Sequence, residues 1–153
     1  MLQVYPDFFT KEEVSRLVAV FDKDNVQAVP IDYSKDVVAC PNRRFPFGKR
    51  LAQFGRQLYN ELLFYPTGAY SYPHIDLGPQ DHSTPWVRTA LINCTDEYEG
   101  GELYFPKLKL EMKLPVGSIL VFPAGNYEMY MHGVREIKSG NRMTAVVRFG
   151  AEV

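Results

Sequence analysis

The stretch Tyr70-Ser71-Tyr72-Pro73-His74-Ile75-Asp76 governs how the whole chain is read. It is rich in strand-favouring residues and sets a histidine and a carboxylate at i and i+2. In a strand, such residues point to the same face. His74 and Asp76 would then offer an imidazole nitrogen and a carboxylate oxygen to one point in space. That is two thirds of the 2-His-1-carboxylate arrangement that holds a non-haem Fe(II) and leaves neighbouring positions open. H-x-D recurs by chance in many chains, so a third ligand has to come from elsewhere.

The chain has 3 histidines, which leaves His82 and His132. His82 lies in Leu77-Gly78-Pro79-Gln80-Asp81-His82-Ser83-Thr84-Pro85, a run of turn formers, and reads as an exposed loop residue. His132 lies in Glu128-Met129-Tyr130-Met131-His132-Gly133-Val134, flanked by apolar and aromatic residues as in a strand. Taken alone, that context also fits a histidine buried in a β-core.

Further short signatures stand around these residues in a fixed order. They are Tyr65-x-x-Gly68, then His74-x-Asp76, then Gly100-Gly101-Glu102-Leu103-x-Phe105. Pro115-Val116-Gly117-Ser118-Ile119-Leu120-Val121-Phe122-Pro123 follows, and after it His132-Gly133-Val134 and Gly140-Asn141-Arg142. Together they resemble the Fe(II)/2-oxoglutarate oxygenases of the prolyl 4-hydroxylase type, over text running from about Tyr65 to Phe149. The resemblance implies His74, Asp76 and His132 as iron ligands and Arg142 as the anchor of 2-oxoglutarate. It implies Fe(II), 2-oxoglutarate and O2 as the cofactor set, with ascorbate as an accessory reductant. Tyr65 is a candidate hydroxyl donor to the cosubstrate; a core aromatic with its hydroxyl at the surface is the alternative.

A guanidinium fork suits the far carboxylate of 2-oxoglutarate better than an ammonium does. Arg142 is preferred to Arg148 on the family's spacing, since in a regular strand both would point the same way. The chain departs from the family where a tyrosine often precedes the first histidine by three residues, for Ser71 stands there. It departs again at Ala90-Leu91-Ile92-Asn93, where a tyrosine is common. One hydroxyl to the cosubstrate is then missing or supplied from elsewhere, Thr89 being a candidate.

At 153 residues, 46% hydrophobic and 14% aromatic, the chain reads as one oxygenase domain over 1–153 with material for one core. The formal net charge of −1 argues against a nucleic-acid-coating protein, and Asn42-Arg43-Arg44 reads as a solvated loop. Cys40 and Cys94 are too few for a disulfide framework or a zinc site, and Cys94 reads as a buried hydrophobe. No leader segment or membrane-spanning run is legible, so a soluble cytoplasmic protein is the expectation. Oligomeric state is not legible.

Thr10-Lys11-Glu12-Glu13 has the form of a capping box, and Val14, Leu17, Val18 and Phe21 follow as one helical stripe ending at Asp22-Lys23-Asp24-Asn25. A second helix is predicted from Gly48 to Leu63, on Leu51, Phe54, Leu58 and Leu62. Helical support would occupy roughly 1–63. Short β runs at 64–72, 86–94, 100–106, 108–113, 117–122, 128–134 and 142–149 predict a jelly-roll core over roughly 64–150. The expected fold is mainly β with flanking helices (α+β): a double-stranded β-helix, cupin-like, with two supporting helices. Trp86 fits a core position better than a substrate groove. The loop 77–85, next to Asp76, is a candidate lid.

The reading is a dioxygenase hydroxylating an unactivated C–H, with succinate and CO2 as coproducts. The resemblance gives a prolyl residue of a peptide or protein as substrate, and a free amino acid or other small molecule as the alternative. Nucleic acid and membrane are not expected partners. The rivals are a silent cupin-like binding module and a cupin enzyme using another divalent metal, neither of which needs Arg142 as a carboxylate clamp.

Overall fold

The computed structural model describes residues 1–21, 24–41, 45–78 and 84–151. Asn42-Arg43-Arg44, His82 and most of the loop 77–85 lie outside the described residues. The first helix, α1 (Lys11–Ala19), opens as the sequence predicts. Thr10 accepts from the Glu13 amide and Glu13 accepts from the Thr10 amide, so two otherwise orphaned donors are satisfied. Val14 and Leu17 are its buried face.

The second helix is a correction. Only α2 (Gly48–Leu51) is α-helical, and a single 3-10 turn (Ala52–Phe54) extends it. Gly55 ends the helical run at φ 132°, where an added Cβ would lie 2.7 Å from the Gly150 carbonyl oxygen. Beyond it the chain is a strand, β3 (Arg56–Tyr65). Leu58 and Leu62 fit a helical stripe as well as a period of two, and pairing on both sides of β3 decides between them. The continuous run of strands therefore begins at residue 56 and not near 64, after two short strands at Gln3–Tyr5 and Val38–Pro41.

Six strands form the large antiparallel sheet: β1 (Gln3–Tyr5), β2 (Val38–Pro41), β3, β5 (Arg88–Asn93), β9 (Ile119–Pro123) and β12 (Arg142–Gly150). Their spatial order is β1-β9-β5-β12-β3-β2. The facing sheet has the order β4-β10-β7-β8, from β4 (Ser71–His74), β7 (Leu103–Phe105), β8 (Leu110–Met112) and β10 (His132–Val134). A ribbon of β6 (Tyr98–Gly100) and β11 (Ile137–Gly140) completes it. Two packed antiparallel sheets with non-sequential neighbours are the expected double-stranded β-helix.

Alternation along β12 shows how the faces divide. Ala145, Val147 and Phe149 join the core that also holds Val14, Leu17 and Leu51 from the helices. Val146 faces the second core between the sheets, with Leu63, Leu91, Leu120 and Phe122. Arg142, Thr144 and Arg148 share that inner face by parity and line one cavity. Three polar residues on a buried face of a central strand are the polar interior that positions the site. Cys94 is buried as expected, and burial pushes its thiol up to about 12.

Candidate metal centre and carboxylate pocket

His74 and His132 stand directly opposite each other in the antiparallel pairing of β4 with β10. Cross-strand partners hold their side chains within contact distance, so two histidines far apart in sequence meet through register alone. Gly133 makes the close approach possible, since an added Cβ would lie 2.7 Å from the Ser71 carbonyl oxygen. The imidazole centroids are 4.6 Å apart. Asp76 follows the end of β4 and is not part of it. Its carbonyl accepts from the Gly125 amide at 2.7 Å, which ties this extension down.

One nitrogen from each histidine and one Asp76 oxygen all lie within 4.8 Å of one another. Asp76 Oδ1 is 3.9 Å from His74 Nε2 and 3.7 Å from His132 Nε2. Each Nδ1 lies 2.9 Å from a backbone carbonyl, of Tyr72 and Tyr130 respectively. A carbonyl can only accept, so Nδ1 carries the proton and each Nε2 is the ring nitrogen that bears a lone pair. Two imidazole nitrogens and one carboxylate oxygen on a common side suit a divalent transition metal with further positions open.

Electrostatics keep these groups in ligating form. Burial pushes the His132 imidazole down to about 4, against the pull of the Asp76 carboxylate. Burial alone would raise Asp76, but the Arg148 guanidinium outweighs it, with help from His132, His74 and the Thr89 hydroxyl. Asp76 is therefore held well below the usual carboxylate range. Arg148 Nη1 donates to Asp76 Oδ2 and, at 2.8 Å, to Thr89 Oγ1. Thr89 in turn donates to Asp76 Oδ2 at 2.8 Å. Oδ2 is thus committed to the fold, and Oδ1 faces the histidines.

A pH dependence follows. His132 has a folded value of about 4 against an ordinary 6.5, so between these the unfolded chain binds more protons. This contribution is complete above pH 6.5 and is lost as pH falls towards 4. Denaturant midpoints of the metal-free protein, measured with chelator from pH 7 to pH 4, are expected to decline through that window.

Arg142 lies in the same cavity as the two histidines. It is 5% exposed, and its guanidinium carbon sits 5.2 Å from the centroid of the Tyr65 ring. Its Nε and the Thr144 hydroxyl are buried without a hydrogen-bond partner, and no ion pair to Arg142 occurs among the described residues. A buried cation lacking a counter-ion is costly, and such a group gains from an anion that comes to it. Tyr65 is buried, and burial raises its hydroxyl to about 12, so it stays a donor.

Sequence reasoning missed two members of the site, Tyr33 and Thr144. Tyr33 reaches in from the segment before β2 and donates to His74 Nε2 at 3.1 Å. It pairs with Ser71, the position where a family tyrosine is lacking. Thr144 could have been found from its parity with Arg142. Arg148 and Thr89, both considered for the cosubstrate, are instead spent on Asp76. Trp86 lines an outer cavity next to Asp76 and is not a core residue. Arg135 is solvent-facing and paired with Glu111.

No family model matches the chain. Over 59 residues it is 39% identical to a PKHD-type hydroxylase of Prochlorococcus marinus, covering 36% of this chain and 25% of that protein. The match thus spans about a quarter of the relative's length. The viral collagen prolyl hydroxylase of Paramecium bursaria Chlorella virus-1, solved as its 2OG complex, superposes with a TM-score of 0.81. That likeness has 19% identity and covers 98% of this chain and 96% of the other. A Trichoplax adhaerens prolyl hydroxylase, in complex with a peptide fragment of hypoxia inducible factor, gives 0.67 at 15% identity over 97% and 83%. No helix among the described residues is long and apolar enough to cross a membrane. The chain therefore has the double-stranded β-helix fold seen in structures of 2OG-Fe(II) oxygenases, and its neighbours in that fold include prolyl hydroxylases.

Proposed function

We propose that this chain is an Fe(II)- and 2-oxoglutarate-dependent dioxygenase that hydroxylates an unactivated C–H. Its first-choice substrate is a prolyl residue of a peptide or protein. The observation that carries the reading is Arg142, a buried guanidinium with no counter-ion among the described residues, in the cavity of His74 and His132. A metal site that used only water would have no need of it. Similarity to PKHD-type and prolyl hydroxylases supports the same reading.

In this account His74 Nε2, His132 Nε2 and Asp76 Oδ1 would hold the Fe(II). The bound iron supplies the chemistry that couples oxidative decarboxylation of 2-oxoglutarate to hydroxylation, releasing succinate and CO2. Arg142 takes the far carboxylate of 2-oxoglutarate, with the Thr144 and Tyr65 hydroxyls as further donors. Leu91, Leu103 and Val134 wall the cavity and exclude water. Arg148 and Thr89 keep Asp76 ionised and fixed in orientation. The Tyr33 hydroxyl, 3.1 Å from His74 Nε2, would give up that bond for His74 to hold a metal through this nitrogen. The whole chain, 1–153, acts as one oxygenase domain.

Succinate release is the test of substrate class. Proline-rich peptides are expected to stimulate it above the rate with 2-oxoglutarate alone. Stimulation by free amino acids and not by peptides would move the substrate to the small-molecule class.

A further inference from the structure

Beside the metal centre, and sharing His74, Asp76 and Arg148 with it, an outer cavity opens between β3, the segment 27–33 and Trp86. Its wall is unusual for a site that need only admit a neutral pyrrolidine ring. Glu61 projects into it from the middle of β3, flanked by Tyr59 and Leu63 on the same face. The Tyr59 hydroxyl lies 3.1 Å from Glu61 Oε2 and 2.9 Å from Gln27 Oε1, so its single proton is shared between these two acceptors. The Tyr59 ring lies parallel to Trp86 at a 12° interplanar angle, and Arg148 packs over Trp86 at 4.7 Å. The carboxylate is therefore held in place by a rigid aromatic frame.

The charges of this cavity do not balance within the described residues. Asp76 and Arg148 form a contact pair and cancel. Glu61 and Asp32 remain, with no ion pair to either among the described residues. An ionised carboxylate has about four acceptor sites, and the one hydroxyl from Tyr59 fills at most one of them. Burial pushes the Glu61 carboxyl above its usual range, against the opposing pull of Arg148. Such a group gains from a donor that arrives with positive charge.

We infer that the outer cavity binds an alkylammonium group of the substrate, with Glu61 as its acceptor and Tyr59 and Trp86 as the frame. This rests on the oxygenase reading for the location of the reacting carbon, and it adds a specificity determinant to it. The ammonium has two possible sources, the α-amine of a free amino acid or amide and a lysine side chain next to a prolyl residue.

Trp86 is the only tryptophan in the chain and lines this cavity, so in protein already holding metal and 2-oxoglutarate its fluorescence reports what enters there. The protein is loaded with Mn(II) and 2-oxoglutarate and titrated with two matched pairs of probes. L-prolinamide is compared with N-acetyl-L-prolinamide, and N-acetyl-prolyl-lysinamide with N-acetyl-prolyl-norleucinamide. A charge-assisted hydrogen bond predicts a preference of about tenfold or more for one cationic probe over its neutral partner. The pair that responds identifies the source. In Glu61→Gln the preference is expected to fall to about threefold or less, while Glu61→Asp retains it. Equal response within both pairs, no saturable response to either cation, or a preference that survives in Glu61→Gln would each overturn the inference. Binding of 2-oxoglutarate itself is read separately by calorimetry, so failure of the oxygenase reading shows as loss of that signal in the wild type.

Discussion

Replacing Arg142 with methionine is expected to weaken 2-oxoglutarate binding by at least about thirtyfold, since truncating one partner of a buried charge pair costs roughly 2–5 kcal/mol. The same substitution should leave the ligand-free protein as stable as the wild type, or more so. In the unliganded state the guanidinium is 5% exposed and has no counter-ion among the described residues. Its burial is a cost that only a bound anion offsets. Methionine keeps much of the volume and removes the charge. Calorimetric titration with 2-oxoglutarate and thermal unfolding without it measure the two halves of this prediction. Loss of stability together with unchanged affinity would mean that Arg142 is a structural residue.

Replacing Arg148 with methionine should act in the opposite direction. Here the guanidinium already has its partner, and removing it strands Asp76 in the interior. Breaking a buried pair in this way destabilises by about 3–5 kcal/mol. A bound divalent metal would become the new counter-ion of Asp76. The variant should therefore gain more stability from added metal than the wild type does, because only the folded state binds it. Denaturant unfolding with and without Mn(II) gives the comparison. An Arg148→Met protein of wild-type stability would show that Thr89 alone holds Asp76.

The contrast between these arginines indicates how far sequence can be read. Their parity on one strand was legible, because a period of two puts Arg142 and Arg148 on one face whatever else the fold does. What separates them is which partner each meets, and that depends on strands distant in sequence. Asp76 comes from beyond β4 and Thr89 from β5, and neither contact leaves a local pattern. The same holds for Tyr33, in a stretch with no motif, carried to His74 by its pairing with Ser71. The histidine pair was more accessible, because ordered short signatures bracket it. Its meeting is nevertheless a matter of register between β4 and β10, which no spacing encodes.

Helix and strand periods explain the remaining difference. Thr10 to Glu13 is a local reciprocal bond and was legible as such. From Gly48 to Leu63, apolar residues serve either period, and the outcome rests on partners that compete for the backbone. β3 gains hydrogen bonds from β2 on one side and β12 on the other. That pairing prevails over helix propensity. The inner face of β3 also carries Glu61 and Tyr59, side chains that a helical reading had placed outside the site.

The central claim is tested most directly by succinate and CO2 release from 2-oxoglutarate. Fe(II) is added anaerobically and O2 follows, with wild type and His132→Ala compared in the presence and absence of proline-rich peptides. The account predicts metal-dependent release by the wild type and its abolition by the substitution, with the fold retained. A wild-type protein with neither release nor metal-dependent binding of 2-oxoglutarate would contradict it.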